Sequence, residues 1–159
     1  MHLGCSLPGV SRTRTNVASR LSRDALTAAH QQLTRDWWSL HRHRFELHVS
    51  ELVLFEASRG DSQAARERLQ LVENLPVLHI TEEARNLADR IFRATALPDK
   101  AASDAVHLAL SAVNAMDFLA TWNFTHIANA VVLKAVNRIC RDNGYEPPIV
   151  CTPEELMTP

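Results

Sequence analysis

Ser103-Asp104-Ala105-Val106-His107-Leu108-Ala109-Leu110-Ser111-Ala112-Val113-Asn114-Ala115-Met116-Asp117-Phe118-Leu119-Ala120-Thr121-Trp122-Asn123 is the stretch on which the fold turns. Ser103 is placed to cap a helix through Met116. The apolar Ala105, Val106, Leu108, Ala109, Ala112 and Val113 leave that helix little polar surface, which predicts that it is buried. Phe118-Leu119-Ala120 reads as a strand. A long helix is expected to begin soon after Asn123 and to end at Asn143-Gly144, where glycine suits a left-handed cap.

The same alternation extends in both directions. From Asp24 to Arg44, Leu26, Ala29, Leu33, Trp37 and Leu40 recur every three or four residues and mark one apolar stripe of a helix, so Trp37 and Trp38 read first as packing residues. Phe45, Leu47 and Val49 alternate with Glu46 and His48 as a short strand does, and Ser50 is a good N-cap for a helix over Glu51–Ser58. Gly60-Asp61 punctuates the chain before another helix running to about Leu71. Pro76–Ile80 is a further strand, Thr81-Glu82-Glu83 opens an amphipathic helix to about Thr95, and Ile149-Val150-Cys151 is the last strand. Strands alternating with helices predict a three-layer α/β domain with a mainly parallel sheet.

Composition sets the bounds. A chain of 159 residues with 46% apolar and 22% charged residues has the means to bury one core, and neither a repeat nor a composition break asks for a second domain. A formal net charge of -1 argues against gripping long nucleic acid by phosphate neutralisation alone, so any such contact is local. The dense basic stretch His41-Arg42-His43-Arg44 reads as a solvated helix end, with an RNA or partner contact as the alternative. Three cysteines, Cys5, Cys140 and Cys151, give no disulfide framework or zinc spacing and suit a cytoplasmic protein; no run of 18 apolar residues suggests a membrane span. Residues 1–23 show little periodicity, and the regular pattern occupies 24–159.

In an open parallel sheet, ligands bind at the carboxyl ends of the strands, and three polar residues fall there: Glu56, Asp104 and Asn123. Each also has an ordinary reading. Asp104 suits the first turn of a helix by its charge, Glu56 suits a solvent-facing helix position, and Asn123 suits a turn or cap. His107 and Ser111 share the face of Asp104 by spacing, and a hydrogen-bonded core histidine is the simpler account of His107.

Taken together, Val49-Ser50-Glu51-Leu52-Val53-Leu54-Phe55-Glu56, Ser103-Asp104-Ala105-Val106-His107-Leu108-Ala109 and Thr121-Trp122-Asn123-Phe124-Thr125-His126-Ile127-Ala128-Asn129-Ala130 resemble the PIN-domain toxins of the VapC type. The closing stretch Pro148–Leu156 resembles that family's last strand and turn. The resemblance implies a PIN-like α/β/α sandwich. It also implies Mg²⁺ or Mn²⁺ held by acidic residues, water attack on an RNA phosphodiester, and a cognate antitoxin that covers the site, with room for a homodimer and no membrane partner. Carried over by position, Glu56, Asp104 and Asn123 are the catalytic and metal-binding residues; Asn123 stands where many PIN domains have Asp, and Thr121 supplies a hydroxyl beside it. The family opens with a strand bearing Asp or Glu, and here the counterpart Leu3–Pro8 puts Gly4 in that place. A degraded or mis-started first strand accounts for residues 1–23 on this view. The expected function is therefore a divalent-metal-dependent endoribonuclease impaired by loss of its first acidic ligand, or else an inactive PIN fold that binds its antitoxin.

Overall fold

The computed structural model describes residues 2–5, 29–30, 32–60, 62–95, 98–123, 127 and 129–157. It is an α/β fold in which the five strands among the described residues are all parallel: β1 (His2–Cys5), β2 (Glu46–Ser50), β3 (Val77–Leu78), β4 (Phe118–Ala120) and β5 (Ile149–Cys151). Their order across the sheet is β3-β2-β1-β4-β5. The opening residues thus supply the central strand: Gly4 is in register with His48 on one side and Leu119 on the other.

Among the described residues six helices connect and cover the strands: α1 (29–30 and 32–40), α2 (Glu51–Ala57), α3 (Ser62–Val72), α4 (Glu82–Thr95), α5 (Ala102–Val113) and α6 (Ala130–Asp142). Strand residues alternate between two faces, and the packing follows that alternation. Leu119 and the partly buried Val150 meet Leu87, Ile91, Leu108 and Ile139 from α4, α5 and α6. On the opposite face Leu47, Ala120 and Cys151 pack with Trp37 of α1, while Val49 packs with Val53 and Val72 of α2 and α3.

Local chemistry sets most boundaries. Ser50 leaves β2 in extended conformation and its side chain accepts the Val53 N–H, so the chain turns straight into α2. Glu51, in the first turn of α2, accepts the Ile80 N–H at 2.7 Å and lies 3.2 Å from His79 Nδ1, tying α2 to the segment after β3. The Thr81 hydroxyl accepts the Ala84 N–H at the start of α4. At the end of α6, Gly144 takes φ 82° and Tyr145 N–H reaches back to the Cys140 carbonyl, the left-handed closure expected there.

Four expectations need correction. Helix α5 starts at Ala102 after a 3-10 turn, Asp99–Ala101, with Ala101 and not Ser103 in the cap position. It ends at Val113 and not Met116, because Ala115 turns left-handed with φ 52° and Met116 N–H closes onto the Ser111 carbonyl. Helix α6 begins at Ala130, several residues later than expected, where Asn129 accepts the N–H groups of Val131 and Val132. In α1 the stripe splits: Trp37 is buried, whereas Leu40 is 63% exposed and Leu26 lies outside the described residues. The His41–Arg44 stretch caps that helix as a 3-10 turn over Arg42–Arg44, with the Arg42 guanidinium 5.1 Å from the centre of the Trp38 ring. Cys140 and Cys151 are both buried and neither is in a disulfide; burial pushes the Cys140 thiol up to about 11.

Candidate active site

Because α5 runs back towards the sheet before β4, its first turns lie at the carboxyl end of β4, where Thr121, Trp122 and Asn123 emerge. That reversal brings Asp104 and Asn123 together. The Asn123 amide donates from Nδ2 to both carboxylate oxygens of Asp104, at 3.0 and 3.1 Å. Asp104 is buried, so this contact satisfies acceptors that would otherwise be costly to hold out of water. Thr121, also buried, accepts the Asn123 backbone N–H on its hydroxyl at 3.0 Å and donates its own backbone N–H to the Cys151 carbonyl.

Glu56 reaches the same region from the last turn of α2. Its Oε2 lies 3.5 Å from His107 Nε2, one helical turn along α5 from Asp104 on the same face. His107 is buried and Glu56 is partly open to solvent. The three residues singled out in the sequence therefore come as two pairs, Asp104 with Asn123 and Glu56 with His107. The pairing role of His107 was not foreseen; its spacing from Asp104 was the available signal, but a buried imidazole on an apolar helix has too many ordinary explanations. Ser111, on the same face, turns inward and donates to the His107 carbonyl of its own helix at 2.9 Å.

A second missed feature flanks the pairs. Trp122 donates from Nε1 to the Thr34 hydroxyl at 3.0 Å, and its ring stacks on His30, with centroids 4.0 Å apart and an angle of 11° between planes.

The donor set can be tested against a divalent ion. Mg²⁺ and Mn²⁺ need several oxygen ligands and the negative charge of carboxylates. Here Asn123 turns its N–H₂ and not its carbonyl oxygen towards Asp104, as a carboxylate that only accepts requires. Both Asp104 oxygens are thereby engaged, Glu56 faces His107, and Gly4 brings no ligand. Among the described residues no three His, Cys, Asp or Glu side chains are close enough to hold a metal ion. The residues as arranged do not fit Mg²⁺ or Mn²⁺. What they form is two polar pairs at the carboxyl edge of the sheet. Compared with known protein families, curated proteins and solved structures, the chain matches none.

Proposed function

We propose that the chain is a PIN-like α/β/α sandwich of the VapC type, built on the plan of a divalent-metal-dependent endoribonuclease but impaired at its centre. The observation that carries this reading is the direct contact of Asp104 with Asn123, which joins two sequence segments on which the resemblance rests. The parallel order β3-β2-β1-β4-β5, with Asp104 in the first turn of α5 at its carboxyl edge, supports the same plan. The impairment rests on Gly4, which stands in the central strand where the family has an acid.

The engagement of both retained carboxylates by Asn123 and His107 favours a second reading, in which the fold is catalytically inactive and serves to bind a cognate antitoxin. On either reading the protein acts in the cytoplasm. The antitoxin segment would lie as a helix against α1, where Ala29 is exposed and Leu33 half-buried; Trp37 belongs to the core and is not available to it.

Incubation of the purified chain with single-stranded RNA and Mg²⁺ is the direct test. Cleavage at or close to background is expected, with any remainder abolished by Asp104→Asn, which keeps shape and removes charge. Robust Mg²⁺-dependent cleavage that Asp104→Asn leaves untouched overturns the proposal.

A further inference from the structure

We infer that Trp122 is a positioning residue: clamped by the first described turns of α1, it fixes the loop that aims Asn123 at Asp104. The segment 121–123 has no regular secondary structure, so its geometry has to come from contacts outside itself. One is the bond from the Thr121 N–H to the Cys151 carbonyl, already described. Two more run through Trp122. Its N–H finds Thr34 at 3.0 Å, and its ring lies flat on His30 at 4.0 Å.

The receiving side is preorganised. The Thr34 hydroxyl gives its own hydrogen to the His30 carbonyl at 2.7 Å, which leaves its lone pairs turned towards the indole. His30 and Thr34 are four residues apart and so lie on one face of α1, presenting a stacking plane and an acceptor together. A tryptophan that only filled space would need neither. Because Trp122 sits between Thr121 and Asn123, the clamp acts one residue from the side chain that satisfies buried Asp104. Anything that displaces this turn of α1 therefore loosens Asn123 from Asp104, making α1 a control point for that pair.

This inference rests on reading Asp104 and Asn123 as the site, but its test uses neither RNA nor a metal ion. Thr34→Val removes the acceptor while keeping the shape, and Trp122→Phe keeps a ring on His30 while removing the N–H donor. The readouts are hydrogen exchange at the Asn123 backbone amide and the position of the Asn123 side-chain N–H₂ signals by NMR, with the Leu108 amide in α5 as the reference. We expect exchange at Asn123 to rise roughly tenfold in each variant, the effect of losing about one net hydrogen bond, with Leu108 unchanged. The side-chain signals should move towards those of a solvated amide. If Trp122→Phe does not fold, Thr34→Val decides alone. Unchanged Asn123 signals, or changes that only follow those at Leu108, overturn the inference; absent RNA cleavage with a tenfold change at Asn123 leaves it standing and counts only against the nuclease reading.

Discussion

Asn123 decides what the Asp104 carboxylate experiences. An amide that donates to both oxygens holds a buried carboxylate without adding a second negative charge, whereas an aspartate at 123 would set two carboxylates side by side. Asn123→Asp is therefore expected to lower the melting temperature in EDTA, and millimolar Mn²⁺ should recover part of the loss by binding only the folded state. A melting temperature that ignores both the substitution and the ion would show that 123 is not in electrical contact with 104. Asn123→Ala should cost about 1–3 kcal/mol, since Asp104 loses an amide that donates to both its oxygens. Glu51 offers a separate test by pH. The Ile80 N–H, and then His79, hold its carboxyl below the usual range. A carboxylate depressed in the folded state stabilises above its unfolded pKa, and that contribution disappears as pH falls through the folded value. Glu51→Gln should thus flatten the fall in melting temperature between roughly pH 5 and 3, and leave the slope above pH 6 unchanged. In the sequence, Asp104 and Asn123 were legible as candidates because an acid on an apolar helix and a polar residue after a strand both stand out. Their bond was not, because the distance across 19 positions depends on how α5 returns to the sheet.

At the scale of elements, the strands that feed or follow clear caps were read well, and the errors have specific physical causes. Ser50 and Gly144 are local signals whose chemistry acts on their immediate neighbours, and both function as expected. Ser103 carries the same kind of signal and loses, because the 3-10 turn Asp99–Ala101 already starts the helical winding and carries Ser103 into the first turn. At the other end of α5 the winding stops early, at a left-handed Ala115, although alanine is a strong helix former and gives no sequence cue for a stop. This residue carries a prediction. An L-residue in that conformation is strained by about 1–2 kcal/mol, and part of this is recovered by glycine at the expense of greater freedom in the unfolded chain. Ala115 is exposed, so no packing is lost, and Ala115→Gly should stabilise the protein by roughly 0.5–1 kcal/mol in urea unfolding. The opposite sign would mean that the left-handed turn does not terminate α5 in solution. Loss of the Ser50 cap in Ser50→Ala should cost about 1 kcal/mol by the same measurement.

Across the whole molecule, the central strand is where sequence reading was weakest and where the consequence is largest. Residues 1–23 lack hydrophobic periodicity, yet His2–Cys5 lies between β2 and β4, and the sheet is continuous only through it. A parallel strand buried between neighbours need not alternate, so a short run such as His2-Leu3-Gly4-Cys5 carries almost no periodic signal of its own. Residues in register across a sheet share a face, so position 4 belongs to the same sheet face as Leu119. On that face Leu119 packs among apolar residues of α4, α5 and α6. Without a cation, a carboxylate on such a face costs several kcal/mol, and on the nuclease plan, which would set it beside Asp104, repulsion would add to that. Gly4→Asp is therefore expected to destabilise the protein strongly in EDTA. If the fold is built on the nuclease plan, the third carboxylate also supplies the missing oxygen ligand and charge, so millimolar Mn²⁺ should raise the melting temperature of Gly4→Asp by several degrees while leaving the unmodified chain almost unmoved. Mn²⁺-dependent RNA cleavage should appear in the same variant and vanish again in Gly4→Asp combined with Asp104→Asn. A variant that folds stably in EDTA and gains nothing from Mn²⁺ would place position 4 away from Asp104, and the reading of Gly4 as the lost ligand would fall with it.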